Sequence, residues 1–331
     1  MASARSADTV ISMRSLLIAG LLALSAAPQE KGHRTLVLDA PSGAFTSLHY
    51  GPEVRVPYLW PVRGSGGVEI TRAFPVAPAR EGEAKDHPHH TSMWLAHGDV
   101  NGHDFWHAKG ATPRVDVVGE PRVAVKEGVT TVDMIADWVA KPGEALLRET
   151  RRMTLSENGG VRHIDVDVRL EALVDVTFGD TKEGTFALRL HPALRLRGEV
   201  AKGKALDSEG RADRALWGKR SRWVAYHGPI DGQEVGVAIF DHPENPRHPT
   251  WWHARDYGLV GANPFGVHDF ERKSAGTGDL ELGKGEVLRM RYRVRLHSGP
   301  TEAKALEAAW RDWSGQSASK GEPQGSDRRD S

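Results

Sequence analysis

The chain has 331 residues, no cysteine, and 44 basic against 44 acidic side chains. This length is enough for one large β domain with a sizeable core. The absence of cysteine excludes disulfides, thiolate metal sites and a cysteine nucleophile. Because no basic excess exists to neutralise a phosphate backbone or an anionic bilayer, nucleic acid is not expected as a partner.

The N-terminal segment has the pattern of an export signal. A short positive region, Met13-Arg14, precedes an apolar run from Leu16 to Leu24 that ends in small residues. The run is shorter than the roughly 20 residues of a membrane span, which favours cleavage over an uncleaved anchor. We therefore expect residues 1–27 to be a signal peptide, with Met13 as an alternative start. The protein is then exported to the periplasm or beyond, without stable membrane insertion.

Short segments of alternating apolar and β-branched residues predict strands through most of the chain. The predicted strands are Arg34–Asp39, Phe45–Tyr50, Glu53–Trp60, Val68–Thr71, Arg114–Val118, Val123–Lys126, Val129–Val139, Leu146–Leu155, Val161–Leu170, Phe186–His191, Trp223–His227, Val235–Phe240 and Val287–His297. This pattern predicts an all-β fold, a large antiparallel β-sandwich, as a single domain over residues 28–313.

One short helix is expected near the C-terminus. Thr301 is the expected cap of a segment in which Leu306, Trp310 and Trp313 share a stripe at near-helical spacing. Residues 314–331 are rich in serine, glycine and charge, and we expect them to be disordered.

The stretch from Asp86 to Trp106 is dense in titratable and aromatic residues, with five histidines, three aspartates and two tryptophans. If Pro88 holds the chain extended, His87 and His89 converge on one side while His90 points to the other. The same rule places His97 beside Asp99. Histidine suits proton transfer near neutral pH and, as neutral imidazole, metal binding.

Two chemistries compete for this cluster, beside the alternative that the histidines are only structural. A metal centre needs three or four ligands, which here are drawn from His87, His89, His90 and His97. Acid–base catalysis needs only two groups with separated pKa values. No recognised zinc spacing is present, so neither a metal nor another cofactor is predicted, and a divalent transition metal stays the alternative.

Two further segments carry candidate site residues. The segment 241–256 is a proline-punctuated loop, and loops on rigid sheets commonly carry sites. Asn263 opens a tight turn nearby, and a second group of polar and basic residues lies at a glycine-bounded tip and on the strands around it. The candidate catalytic residues here are Glu183 and His191, and the candidate substrate-binding residues are Lys182, Arg189, Arg222, His227, His248, Trp251, Trp252, His253, Arg255 and Asn263.

Three motifs in order resemble the bacterial family catalogued as methane oxygenase PmoA, or PmoA-like. They are D-H-P-H-H-x-S-x-W-x-A-H-G-D-V-N-G-x-D-F-W at 86–106, G-D-T-K-E-G-x-F at 179–186, and D-H-P-x-N-P-R-H-P-x-W-W-H-A-R-x-Y-G-L-x-x-x-N-P-F-G at 241–266. The resemblance covers roughly Leu36 to Gly299. It implies a β-sandwich of the galactose-mutarotase type, in which a sugar lies on a concave sheet and a histidine and a carboxylate transfer protons.

On this chain, the resemblance suggests His89, His90 or His97 as the acid and Glu183, Asp99 or Asp241 as the base. The leading hypothesis is a carbohydrate-active protein that binds a small-molecule or oligosaccharide ligand. The alternatives are a metal-dependent oxygenase or hydrolase centred on the histidine cluster, and a non-catalytic carbohydrate-binding module.

Overall fold

The computed structural model describes residues 32–107 and 110–315. The predicted signal peptide and the predicted tail beyond Gly315 lie outside these residues. The strands are β1 (Arg34–Ala40), β2 (Gly43–Tyr50), β3 (Tyr58–Leu59), β4 (Met93–His97), β5 (Arg114–Val117), β6 (Arg122–Lys126), β7 (Val129–Lys141), β8 (Glu144–Asn158), β9 (Val161–Ala172), β10 (Val176–Phe178), β11 (Gly184–Arg189), β12 (Lys204–Asp207), β13 (Trp223–Ile230), β14 (Gln233–Asp241), β15 (Trp251–Ala254), β16 (Leu259–Asn263), β17 (Leu280–Leu282) and β18 (Val287–Ser298). The helices are α1 (Val267–Glu271) and α2 (Ala303–Ser314).

The strands form two large sheets and one small one. The seven-stranded sheet has the order β1-β2-β3-β4-β11-β16-β15, and the nine-stranded sheet runs β12-β13-β14-β18-β9-β8-β7-β5, with β6 also paired to β7. Strands β10 and β17 form a separate pair. Neighbouring strands are antiparallel, as in β4 with β11 and β18 with β9. The all-β prediction, with a short C-terminal helix, is therefore confirmed.

The core lies between the two large sheets. Phe186 on β11 and Tyr292 on β18 stack across it, with 4.8 Å between ring centroids and 5° between ring planes. Because side chains alternate along a strand, Arg189 on β11 points away from this core. Trp94 on β4 pairs with Ala187 and therefore shares the outer face of the seven-stranded sheet with Arg189.

Some strand predictions are wrong where the alternation of apolar and polar residues does not distinguish a strand from a loop. The predicted strand Glu53–Trp60 is reduced to the two residues of β3, and Val68–Thr71 makes only isolated bridges. Strand β15 lies inside the segment that we expected to be a loop. Its four residues are all buried, so they show no alternation from which a strand could be predicted.

The C-terminal helix forms where predicted, but Thr301 does not cap it. The cap residue is Glu302, without a side-chain cap, because the Thr301 hydroxyl is hydrogen-bonded to His297 Nε2 at 2.9 Å. Leu306 and Trp310 are buried at 2% and 5% exposure and pack on the nine-stranded sheet beside Trp223. None of the described helices is long and apolar enough to cross a membrane.

Candidate functional site

A carboxylate at the start of the histidine-rich stretch joins two buried arginines. Asp86 Oδ1 accepts hydrogen bonds from Arg72 Nη1 at 2.9 Å and Arg189 Nη2 at 2.8 Å, and Asp86 Oδ2 lies 2.9 Å from His87 Nδ1. Both arginine side chains are 2% exposed. Burial alone would raise the pKa of Asp86, but Arg189 and His87 hold that pKa below its usual value. The ionised carboxylate thus fixes the stretch to the outer face of the seven-stranded sheet.

The histidines are arranged by a tight turn. The backbone N–H of His90 donates to the carbonyl of His87 at 3.0 Å, and His87 has a φ of 43°, in the left-handed region that histidine enters more readily than most residues. Arg72 Nη2 donates to two carbonyls of this turn, at 2.9 and 2.6 Å. The expected extended conformation, with His87 and His89 on one side and His90 on the other, is wrong because this turn replaces it.

Four rings stack in series on this face, and we call them the aromatic row: Trp94, His90, His87 and Tyr257. Their successive centroid separations are 5.2, 4.8 and 5.3 Å. The Arg189 guanidinium lies 4.6 Å from the centroid of Tyr257, close enough for a cation–π interaction. Arg189 therefore contacts both Tyr257 and His90 of the row. The His87 side chain is 40% exposed at the edge of the row.

The hydrogen-bond partner of His90 fixes its tautomer. Arg189 Nη1 lies 2.9 Å from His90 Nδ1, and since arginine can only donate, Nδ1 accepts and Nε2 carries the proton. That Nε2–H is buried without a hydrogen-bond partner in the described chain. Burial, with His89 and Arg189 nearby, lowers the pKa of His90 far below its usual value. His90 is therefore a neutral hydrogen-bond donor.

A cavity of about 390 Å³ opens beside the start of the aromatic row. We call it the histidine hollow, and its lining residues are His33, Glu53, Val54, Arg55, Val56, Tyr58, Pro88, His89, Thr91, Trp94, Trp106 and His107. Three ring nitrogens on its walls, His89 Nε2, Trp94 Nε1 and Trp106 Nε1, are buried without a partner among residues 32–107 and 110–315. Buried polar groups are ordinarily hydrogen-bonded, so each of these requires an explanation.

The hollow contains a histidine oriented by a carboxylate. His107 Nδ1 lies 2.7 Å from Asp104 Oδ2, so Nδ1 carries the donated proton and Nε2 carries the lone pair. The rings of His107 and His89 are 4.6 Å apart between centroids. Burial, followed by the charge of His107, lowers the pKa of His89 to about 3. The two imidazoles therefore differ in environment, as acid–base pairs do.

A second cluster adjoins the other end of the aromatic row. His253 Nδ1 donates to the carbonyl of Lys182 at 2.9 Å, so its Nε2 carries a lone pair, buried and without a partner in the described residues. Burial, then the neighbouring Arg255, lowers the pKa of His253 to about 3. Lys182 Nζ lies 3.3 Å from Glu183 Oε1. Four predicted site residues thus meet here.

Strand register measures how far apart these two ends are. Trp94, Ala187, Gly261 and His253 are successive partners across β4, β11, β16 and β15. Three strand spacings of about 4.8 Å separate the first from the last by roughly 14 Å. The two residues between them, Ala187 and Gly261, are small and buried, which leaves room above the sheet for the aromatic row.

Three predicted catalytic residues do not reach the aromatic row. His97 is fully buried, its Nε2 donates to Gly179 O at 2.8 Å, and its ring packs on Phe265 at 4.7 Å. Asp99 Oδ1 accepts from the backbone of a turn at 2.8 Å. His191 lines a separate cavity of about 750 Å³. These three side chains lie in the core, in a turn and at another cavity, so the geometry does not support a catalytic role for them.

Most of the other predicted residues outside the row already have side-chain partners in the fold, whereas His227 has only its backbone pairing in the described residues. Arg222 pairs with Glu209 and Glu307, His227 lies on β13 opposite Gly236, His248 Nδ1 is 2.6 Å from Asp241 Oδ2, Trp251 and Trp252 donate to Glu271 and to the carbonyl of Ser221, and Asn263 Oδ1 accepts from Phe265 and Gly266. The tight turn expected at Asn263 is present, but this turn uses the side chain that we predicted to bind substrate.

The structure also bears on the metal alternative. No group of three or more histidine, aspartate or glutamate side chains in residues 32–107 and 110–315 is arranged to hold a metal ion. His87 and His90 stack face to face, with 8° between their planes, and His97 is in the core. A centre built from His87, His89, His90 and His97 does not fit this arrangement, because the imidazole nitrogens of a metal site must converge on one point.

Several residues of the site were not predicted from the sequence. Asp86, Trp94 and Trp106 lie within the stretch that drew our attention, but they were not assigned roles. His107 is the next residue along, and its three-residue spacing from Asp104 was an available signal. Tyr257 carried no signal, since only the folded chain places it against His87.

Comparisons with known proteins add the family and distant fold relatives. No curated protein matches the chain. Solved structures that it resembles include a galactose mutarotase-like protein from Lactobacillus casei, with 10% identity over 80% of this chain and 100% of that chain and a TM-score of 0.39.

Two longer proteins are also similar. The α-galactosidase from Lactobacillus brevis has 8% identity over 84% of this chain and 42% of that chain, with a TM-score of 0.41. A GH36 α-galactosidase from Geobacillus stearothermophilus, solved in complex with stachyose, has 12% identity over 80% of this chain and 40% of that chain, with a TM-score of 0.38. The chain thus spans about 40% of these two enzymes, and likeness at this level carries no information about activity.

A protein family matches most of the described chain. The match covers residues 35–311 and is to a family described as a family of unknown function, DUF6807. It does not show the PmoA-like family, so that resemblance stays a prediction. The chain belongs to the family DUF6807.

Proposed function

We propose that this protein is an exported, carbohydrate-active member of its family that binds a sugar in the histidine hollow. The observation that carries the proposal is the set of three buried ring nitrogens on the walls of that hollow, none with a partner in the described residues. The resemblance to the PmoA-like family and the export pattern at the N-terminus are part of the same proposal.

A sugar provides the hydrogen-bond partners that the ring nitrogens of this hollow lack. The Trp94 and Trp106 indoles can only donate hydrogen bonds, and a sugar hydroxyl both accepts and donates. The same rings provide flat apolar walls, and ligand sites combine such walls with a few placed polar groups. A purely apolar ligand would leave the three nitrogens unsatisfied, at a cost of about 1–3 kcal/mol each.

Proton transfer at the bound sugar is assigned to His107, assisted by His89. His107, oriented by Asp104, takes a proton from a sugar hydroxyl at Nε2, and the carboxylate stabilises the imidazolium that results. His89 is a neutral imidazole, so it contributes a hydrogen bond to a sugar oxygen and no proton. The proton that His107 takes is returned to the sugar oxygen that becomes negative. The predicted bases Glu183, Asp99 and Asp241 do not line this hollow, so His107 replaces them in the proposal.

A sugar screen tests the proposal directly. Purified protein is heated with a panel of mono- and oligosaccharides, with and without a divalent-metal chelator. A ligand at 100 times its Kd raises the stability of the folded state by about 2.7 kcal/mol, so a bound sugar raises Tm, and the chelator leaves this shift unchanged. A panel without any Tm increase, or an increase that the chelator abolishes, contradicts the proposal.

A pair of tryptophan variants then locates the site. Trp106→Phe removes an unpartnered N–H and is expected to weaken sugar binding at least about tenfold, as loss of a good hydrogen bond in a dry site does. Trp223→Phe is the control, because Trp223 Nε1 already donates to Glu307 at 3.0 Å. It is expected to lower Tm without changing sugar affinity. Equal affinities of the two variants would remove the hollow as the site.

Whether the bound sugar is turned over is decided by Asp104→Asn. The amide keeps the size of the side chain but cannot stabilise the His107 imidazolium. We expect a loss of turnover of about 100-fold or more with nearly unchanged affinity. If wild-type protein binds a sugar and no product forms, the protein is a binding module.

A further inference from the structure

We propose that the sugar bound by this protein carries an anionic substituent, a carboxylate or a sulfate ester, and that Arg255 holds it. This inference rests on the proposed function and adds the substrate class. It comes from the end of the aromatic row that lies opposite the histidine hollow.

Arg255 has an unused charge. Its guanidinium lies 5.2 Å from the centroid of Tyr257 and 6.0 Å from that of Trp217, but in the described chain it has no hydrogen bond or ion pair from its side chain. Arginine has five N–H donors in a planar fork that matches a carboxylate or a sulfate. The two rings fix the orientation of the fork and leave its donors free.

One unpartnered donor lies beside the same guanidinium. Trp217 Nε1 is buried with no hydrogen-bond partner among residues 32–107 and 110–315. A cavity of about 310 Å³ adjoins it, and its lining residues are Arg214, Trp217, Ala254, Arg255 and Asp256. An oxyanion in this cavity would accept from both the guanidinium and the indole, which a neutral hydroxyl can do only in part.

The acidic side chains nearby are already committed to other cations. Asp256 Oδ2 lies 3.2 Å from Arg197 Nε and 3.3 Å from Arg214 Nε, so one carboxylate faces two arginines. Glu183 pairs with Lys182, which also lies 3.9 Å from Asp269. Arg255 therefore has no ion-pair partner in the described chain, and these charged groups, with Arg255, are four cations against three anions.

The spacing indicates an oligosaccharide. The hollow at Trp94 and the cluster at His253 are roughly 14 Å apart across the sheet, which is longer than a single sugar ring. The aromatic row runs between them, and Tyr257 touches both His87 and Arg255. One sugar unit in the hollow and an anionic unit at Arg255 would use both ends of the row.

The test compares trisaccharides that share their ring configuration and linkage and differ in the anionic substituent. Calorimetric titration is done with tri-galacturonate, with neutral galactotriose of the same linkage, and with a sulfated galactotriose. An anionic ligand is expected to bind at least about tenfold tighter than the neutral one, the factor for one charge-assisted hydrogen bond. The stronger of the two anionic ligands identifies the substituent. The preference is expected to shrink at high salt.

Two variants assign the preference to this residue. Arg255→Gln is expected to weaken anionic ligands about tenfold and to leave the neutral ligand nearly unchanged. Trp217→Phe keeps the ring beneath Arg255 but removes the indole N–H, and a threefold to fivefold loss is expected. Arg169→Gln is the control, since Arg169 is an exposed arginine on the nine-stranded sheet and its loss changes net charge equally.

The outcomes separate this inference from the proposed function. Neutral and anionic ligands of equal affinity, or a preference that survives Arg255→Gln, overturn the inference while sugar binding stands. Loss of the preference in Arg169→Gln would show a nonspecific charge effect and also overturn it. If none of the three ligands binds and the broad sugar panel also fails, the proposed function falls and this inference falls with it.

Discussion

The outer faces of the two large sheets differ in how their charged and polar side chains are paired. On the nine-stranded sheet, aspartates meet arginines in regular cross-strand pairs, namely Asp133 with Arg152, Asp137 with Arg148, Asp165 with Arg293, and Asp167 with Arg289. Each carboxylate there is satisfied, and most of these groups also reach water. This face also has buried nitrogens without a hydrogen-bond partner in the described chain, including Arg295 Nε and His297 Nδ1 on β18, but neither of these residues lines the histidine hollow.

The seven-stranded sheet has the reverse character. Its outer face buries Arg72 and Arg189 on one carboxylate, stacks four rings and leaves the ring nitrogens of His89, His90, Trp94, Trp106 and His253 unpartnered in the described chain. A buried donor or acceptor that makes no hydrogen bond costs free energy. The two faces differ in that unpartnered ring nitrogens gather around the histidine hollow on the seven-stranded sheet, whereas ion pairs dominate the face of the nine-stranded sheet.

The largest expected effect is from removing the carboxylate under the aromatic row. Asp86→Ala leaves two buried guanidinium groups without their shared anion. Breaking a buried pair typically costs 3–5 kcal/mol. Because Asp86 is 37% exposed, we expect a loss of about 2–3 kcal/mol in the free energy of unfolding, measured by urea denaturation.

The pH dependence of that variant provides its check. The folded pKa of Asp86 lies below the usual 3.8, so the carboxylate stabilises the fold above that value, and this stability is lost as pH falls through the folded pKa. Wild type and Asp86→Ala should therefore converge in stability only as pH falls through that folded pKa, which lies below 3.8. A difference that persists unchanged to the lowest measurable pH would show that packing, not charge, is responsible.

A smaller effect is expected from His253→Gln, which should change how steeply the free energy of unfolding depends on pH. Its folded pKa is about 3, below the usual 6.5, so the unfolded chain takes up a proton first. Stability is therefore complete above pH 6.5 and falls as pH is lowered toward 3, by at most about 1.4 kcal/mol per pH unit for this one group. His253→Gln retains a donor for the Lys182 carbonyl, and its stability should fall less steeply with decreasing pH.

Urea titrations at pH 8, 6.5, 5.5 and 4.5 measure this slope. The values at pH 8 are the internal control, since the imidazole is neutral in both states there and the two proteins should differ by a constant. An identical slope in both proteins would mean that His253 reaches water in solution, which would weaken the contrast between the two faces.

The smallest effect is expected on the nine-stranded sheet. A double-mutant cycle on Asp165 and Arg293, which are directly opposite each other on β9 and β18, should give a coupling of about 0.2–1 kcal/mol. The coupling should fall with added salt, and none of the variants should alter sugar affinity. A coupling free energy as large as the loss expected for Asp86→Ala would contradict the proposed difference between the two faces.

The all-β class and the long strands of the nine-stranded sheet could be predicted from the amino-acid sequence alone. In β9, Ile164, Val166 and Val168 are buried and Asp165 and Asp167 point outward, and a period of two is visible wherever one face is wet. The density of histidines also located the most important segment. These features are local, so the order of residues is enough to reveal them.

Which of those side chains are in contact could be seen only in the folded chain. A turn with a positive φ at His87 replaced the extended chain that Pro88 suggested, because Arg72, from before the stretch, binds the turn's carbonyls. Tyr257 and Arg255 reach the row through pairing of β15 with β16 and of β16 with β11. Contacts between residues more than a hundred positions apart depend on sheet order and register, and no local pattern encodes either.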